Sequence, residues 1–188
     1  MNIVLASASP RRRELLSHFA VPFTVDPAAG PEEPPAGAGP EETVRTLAAA
    51  KAAEVAARNP DSVVIGADTV VELDGAILGK PADRDDAFRM LRALSGREHR
   101  VYTGVAVVCG GRLQSGAEMT RVFFRDLTDR EILAYIDSGE PMDKAGAYGY
   151  QGLASLFVER IDGDFFNVVG LPLCRLGRML ETLGVTLL

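Results

Sequence analysis

The sequence predicts an α/β fold, a mixed sheet flanked by helices with antiparallel parts. Two observations lead there. Segments with apolar residues at helical spacing are mixed with short β-branched runs along the 188 residues. Several of those runs meet at turns too short for a crossover helix, at Asp74-Gly75, Gly110-Gly111 and Asp162-Gly163. Strands joined that tightly run antiparallel, which excludes a strictly alternating dinucleotide-binding fold.

Each element has its own local signal. Residues 2–6 (NIVLA) read as a short buried strand, followed by the small-residue turn Ser7-Ala8-Ser9. Ser9-Pro10 opens a helix, with Ser as N-cap and Pro at the first helical position. Leu15, Leu16 and Phe19 supply its apolar face, and Pro22 to Val25 forms a second strand. Residues 26–40 are rich in Pro, Gly, Ala and Glu, so they read as a linker or as a mobile flap at an active site. A long helix runs from about Pro40 to Arg58, its start favoured by Glu41 and Glu42 and its end set by Asn59-Pro60.

Ser62 to Leu73 is a strand interrupted by Gly66-Ala67-Asp68, and Asp74-Gly75 closes a hairpin. Asp83 caps a helix reaching Leu94, with Ala87, Leu91 and Leu94 on one face and Ser95-Gly96 at its end. Val101 to Cys109 and Arg112 to Phe124 are strands. Thr128-x-x-Glu131 is a capping box opening a helix to about Asp137. A glycine-rich loop covers 139–152. Leu156 to Ile161 and Phe165 to Val169 read as strands, and Leu171-Pro172 opens the last helix. No internal repeat is visible.

Charge narrows the ligand class. The net charge is −6, and the one basic run is Arg11-Arg12-Arg13. Three adjacent arginines can grip a few phosphates but cannot track a duplex, so a small phosphorylated ligand is favoured over polymeric nucleic acid. Cys109 and Cys174 are too few for a disulfide framework, and their apolar surroundings predict buried free thiols. The short apolar run before the arginines is not a signal peptide, and no apolar run of membrane-spanning length exists. A cytoplasmic protein that engages no membrane is expected.

Four segments could carry chemistry. In Ser7-Ala8-Ser9-Pro10-Arg11-Arg12 a strand turns into a helix N-terminus bearing two arginines. Free N–H groups, the helix dipole and guanidinium forks all suit phosphate oxygens. The alternative is an ordinary connection with solvated arginines. In Gly66-Ala67-Asp68-Thr69 a carboxylate breaks an apolar strand. It serves as metal ligand or general base, or it is simply paired with a nearby Arg or turn N–H groups. Gly79-Lys80-Pro81 fails the P-loop pattern, since the spacing is one residue short and Pro81 replaces the Ser/Thr. Lys80 could still point at a phosphate. The stretch Asp143 to Gly152 combines glycines, which allow close approach, with Gln151, whose amide suits the edge of a base. A plain surface loop is the alternative. His18, placed in a helix, and His99, placed in a loop, make no metal site, so any metal would take oxygen ligands and be Mg²⁺ or Mn²⁺.

Taken in order, the segments resemble the Maf family of nucleotide pyrophosphatases. The carrying motifs are LASASPRRRELL at 5–16, IGADTVV at 65–71, LGKP at 78–81, LSG at 94–96, TGVAVV at 103–108, SGEPMDKAGAYGYQG at 138–152 and VVGLPL at 168–173. The resemblance implies one domain over 1–188, with an elongated mixed sheet, two lobes and a central cleft, as in inosine-triphosphate pyrophosphatases. It implies a homodimer that cleaves between the α- and β-phosphates with a divalent cation. Asp68 matches the family's proton acceptor, and Ser7, Arg11, Arg12, Lys51 and Lys80 match residues lining the triphosphate site. Glu32 matches an acidic residue of that site, which with Asp68 would hold the metal. The DKAGAY…Q pattern is that of the branch acting on dTTP and UTP, with Arg11, Thr69 and Gln151 at its specificity positions. Tyr150 stands where that branch's pattern leads one to expect isoleucine. The implied role is nucleotide-pool housecleaning with a link to cell-division arrest. The competing class is a non-catalytic nucleotide sensor regulating cell division, which would gain little from a carboxylate at position 68.

Overall fold

The apolar run Asn2–Leu5 forms strand β1, buried from Ile3 onward. It pairs in parallel with β2 (Phe23–Val25) on one side and with β3 (Ser62–Leu73) on the other. The structure is a computed structural model and describes residues 2–188. Among these, β4 (Ala76–Leu78), β5 (Glu98–Cys109), β6 (Arg112–Phe124) and β7 (Val158–Asp162) complete a seven-stranded mixed sheet. Its order is β2-β1-β3-β5-β6-β7, with β4 paired antiparallel to β3 and β7 antiparallel to β6. Asp74 and Gly75 adopt positive φ of 52° and 84°, as a two-residue hairpin turn between β3 and β4 requires.

The helices are α1 (Pro10–Ser17), α2 (Pro40–Arg58), α3 (Arg84–Leu94), α4 (Asp129–Asp137), α5 (Phe165–Val169) and α6 (Leu173–Thr182). Their caps follow the side chains. Asp83 accepts from Asp86 N at 2.8 Å, and Thr128 with Glu131 forms the reciprocal capping box.

The chain divides into two compact units. The first comprises residues 1–68, 103–118 and 170–188, and the second 69–102 and 119–169. In the first unit, α2 lies directly on the sheet because its contact residues are small. Ala48, Ala52 and Val55 pack against Val4, Ala6, Val64 and Ala106. Gly66 on β3 makes this approach possible: a Cβ there would sit 2.8 Å from Ala52 N and collide with Ala48 O. Gly104 on β5 plays the same part farther along, where a Cβ would lie 2.7 Å from Arg45 N. In the second unit, Ala87, Leu91 and Leu94 of α3 and Ile132, Tyr135 and Ile136 of α4 share one core with Val101, Val122, Phe124 and Phe157.

Five expectations are corrected. Phe165–Val169 is helical, not a strand. Asp164 decides this, since its Oδ1 accepts from Phe166 N at 2.8 Å and its carbonyl from Val168 N at 3.3 Å, so local capping overrides the β propensity of FFNVV. The preceding strand begins at Val158, because residues 153–156 form a 3₁₀ turn. His99 lies within β5, buried, rather than in a loop. The cysteines are not buried: Cys174 is exposed on the outer face of α6, and Cys109, last in β5, is half-buried beside the Gly110-Gly111 turn. Residues 26–30 are no free linker, for Glu54 and Arg58 of α2 hold them.

Candidate active site

In the first unit the loop after β1, the strap between β2 and α2, and the strand β3 bring their polar residues together. Lys51 of α2 places its Nζ 2.6 Å from Asp68 Oδ1 and 2.7 Å from Glu32 Oε1. Asp68 is 7% exposed, so the strand delivers a carboxylate into a largely water-free position. The register follows from Gly66: the helix backbone touches β3 there, and Lys51 projects toward the residue two positions on.

Beside them, Ser7 is buried and its Oγ accepts from Ser9 N at 3.3 Å and from Arg12 NH1 at 3.2 Å. Arg12 Nε donates to the carbonyl of Gly170 at 2.8 Å. Two fixed contacts therefore orient a half-buried guanidinium. Ser9 caps α1 through Arg12 N, and no acidic residue occupies the first turn of that helix. Its positive end, which carries Arg11 and Arg12, suits an anion.

Burial dominates the electrostatics of this cluster. Burial raises the pKa of Asp68 above the ordinary carboxylate value, and Lys51 and Arg12 pull it only part of the way back. Burial lowers the pKa of Arg12, opposed by Asp68, and neighbouring Arg11 adds to the lowering.

The second unit holds Thr69, Lys80 and Gln151. Thr69 follows Asp68 on β3 and is half-buried, while Lys80 and Gln151 are exposed. The segments of Lys80 and Gln151 are joined, because Gly146 N donates to the carbonyl of Gly79 at 3.0 Å. Gly146, at φ 67°, would press a Cβ within 2.9 Å of Val71. Lys144 turns back into its own loop, with Nζ on the Glu140 carbonyl and 2.7 Å from Asp143 Oδ1. Glu140 in turn accepts from Tyr135 OH at 2.9 Å and Leu153 N at 3.1 Å. Lys144 thus braces the loop.

Comparison with known proteins settles the family. The profile of the Maf-like protein family matches residues 2–183. The chain belongs to that family. It is 52% identical over 188 residues to the dTTP/UTP pyrophosphatase of Pelotomaculum thermopropionicum, covering 99% of this chain and 98% of that one. It is 55% identical over 171 residues to the dTTP/UTP pyrophosphatase of Thermococcus gammatolerans, covering 91% of each. Among solved structures, a HAM1 protein from Coxiella burnetii superposes with a TM-score of 0.53 at 14% identity, over 97% of this chain and 99% of that one. That likeness shows the α/β fold alone.

Within this Maf-like chain, sequence reasoning missed the part of Gly170. It lies in VVGLPL, at φ 119°, and its carbonyl holds Arg12. A glycine between an apolar run and Leu171-Pro172 was the available signal. It also missed His99, whose Nε2 meets Tyr148 OH at 2.7 Å and whose ring packs edge-on against Phe124 and Tyr148.

Proposed function

We propose that this Maf-like protein hydrolyses nucleoside triphosphates, dTTP and UTP foremost, to the nucleoside monophosphate and pyrophosphate. The observation that carries the reading is Asp68, buried and paired to Lys51 at 2.6 Å, with Glu32 on the same ammonium. The names of relatives about half identical over nearly the whole chain support the substrate. A non-catalytic sensor has no use for a buried carboxylate of raised proton affinity facing phosphate-binding groups, so the regulatory reading is not favoured.

Ser7, Arg11, Arg12, Lys51 and Lys80 are assigned to the phosphates, where cations offset charge growing on the departing pyrophosphate. Asp68 takes a proton from the attacking water. The water oxygen bonds to the α-phosphorus, the bond to the α–β bridging oxygen breaks, and pyrophosphate leaves. The burial of Asp68 beside Lys51, away from bulk water, suits a group that holds and orients that water. Thr69 and Gln151 read the pyrimidine, with Arg11.

Mg²⁺ or Mn²⁺ fits Asp68 and Glu32. Their carboxylates already converge on one cation, the Lys51 ammonium, and hard oxygen donors suit these ions. Among the described residues no group of three or more His, Cys, Asp or Glu is placed to hold a metal, so phosphate and water oxygens would fill the other positions. Such an ion, when bound, neutralises phosphate charge. The proposal extends to residues 1–188 acting as one domain, a homodimer, a cytoplasmic location, and no binding of polymeric nucleic acid. No helix among the described residues is long and apolar enough to cross a membrane.

The test is incubation with Mg²⁺ and a panel of pyrimidine and purine triphosphates, measuring monophosphate and pyrophosphate. Turnover of dTTP and UTP above the purines is expected. Asp68→Asn should lower kcat by about 10²–10⁴-fold. Absence of turnover, or full activity in Asp68→Asn, would overturn the assignment.

A further inference from the structure

We infer that Glu54 is a positioning residue for this hydrolysis, acting through Glu32 by holding the backbone of the strap that carries it. The inference rests on the proposed role of Glu32 at the metal and triphosphate.

The strap leaves β2 at Val25 and reaches α2 at Pro40, and its composition offers little to order it. Pro31, Glu32, Glu33 and Pro34 are all exposed, and the Glu32 side chain is 60% exposed. Ala28 packs against the core beneath α2, but residues 31–34 bury no apolar group that would hold a carboxylate in place. Yet Glu32 Oε1 stands 2.7 Å from Lys51 Nζ.

One side of α2 holds the strap ahead of Glu32. Lys51, Glu54 and Arg58 follow one another at spacings of three and four, so their side chains share a face. Arg58 grips the start of the strap, with Nε and NH2 each 2.8 Å from the Asp26 carboxylate and NH2 2.8 Å from the Pro27 carbonyl. Asn59 Nδ2 adds a bond to Asp26 Oδ2 at 2.9 Å. Glu54 takes the next two residues, its Oε1 accepting from Ala29 N at 2.9 Å and its Oε2 from Gly30 N at 3.0 Å. Gly30 permits this, since a Cβ there would lie 2.8 Å from Glu54 Oε2. The same bonds hold the Glu54 carboxyl below its ordinary pKa.

Gly30, held by Glu54, stands two residues upstream of Glu32. Lys51, one turn earlier on the same face, receives the Glu32 side chain. Removing the Glu54 carboxylate frees residues 29–32 while leaving Lys51 and Asp68 in place. Groups that orient a ligating carboxylate typically cost about 10–100-fold in metal affinity or activity when lost.

The experiment is a double-mutant cycle on kcat/KM for dTTP with Mg²⁺, alongside thermal melts. Glu54→Ala should lower kcat/KM by about tenfold with little change in Tm, and Glu32→Ala by about 10–100-fold. The double variant should match Glu32→Ala alone, because Glu54 has nothing left to position. Glu54→Gln, which keeps one acceptor oxygen and the side-chain volume, should fall between wild type and Glu54→Ala. Equal losses from Glu54→Ala with and without Glu32 would overturn the inference. So would a wild-type rate in Glu54→Ala where Glu32→Ala is impaired. Full activity in Glu32→Ala would instead strike the underlying role of Glu32, a distinct outcome that removes both.

Discussion

Lys51 and Asp68, 17 positions apart in the chain, meet at 2.6 Å because α2 approaches β3 closely at Gly66, where the strand has no side chain. The pair is mostly buried, with side-chain exposures of 15% and 10%. Breaking such a pair from one side leaves an uncompensated charge, at a cost of about 3–5 kcal/mol.

Lys51→Met should therefore be destabilised at neutral pH by about that amount, less what Asp68 recovers by taking a proton. The sign follows from Asp68. Its folded pKa is raised, so above the unfolded carboxylate range the folded state binds more protons than the unfolded state. Stability then falls as pH rises through the folded pKa and recovers as pH is lowered. Urea unfolding of Lys51→Met at pH 7.5 and 5.5 should show a smaller deficit at the lower pH, and adding Asp68→Asn should remove most of it. An unchanged deficit at both values would mean that the pair does not govern this region.

Gly66→Ala tests what brings the two residues together. The added methyl would lie 2.8 Å from Ala52 N and collide with the Ala48 carbonyl, both of them helix backbone. Neither can move without shifting α2, so a loss of about 1–3 kcal/mol is expected. Lys51 would be carried away from Asp68, and kcat should fall further than stability alone explains. A variant of normal stability and rate would show that α2 tolerates displacement.

Much of this architecture is readable from local signals. Ser9-Pro10, Asp74-Gly75, Asp83 and the Thr128–Glu131 box each act within a few residues, and each forms where its chemistry predicts. Asp68 also stands out, as a charge inside an apolar strand. The partners of these residues are less legible. Nothing near Lys51 marks it as the counter-ion of Asp68 and Glu32, since that depends on tertiary packing through Ala48, Ala52 and Gly66. Gly170 likewise meets Arg12 across 158 positions. Phe165–Val169 misleads because β-rich side chains are outweighed by one capping carboxylate and by Asn167, whose amide donates to Val101 O at 3.0 Å and Thr120 Oγ1 at 2.9 Å.

His99 gives a prediction of opposite pH sign to that of Lys51→Met. The ring is 2% exposed and wedged among Phe124 and Tyr148, and burial lowers its pKa to about 3, with Glu98 opposing weakly. Between about 3 and the ordinary value of 6.5 the unfolded chain holds a proton that the folded chain refuses. Stability is then complete above pH 6.5 and declines as pH falls toward 3, at about 1.4 kcal/mol per unit for one proton. His99→Phe, which cannot titrate, should lose the Tyr148 bond and be weaker at pH 7.5. It should also lose about 2 kcal/mol less than wild type between pH 6.5 and 5. Urea midpoints across that range decide the matter. Parallel curves for the two proteins would show that His99 is protonated as readily inside the fold as outside it, and that the acid sensitivity lies elsewhere.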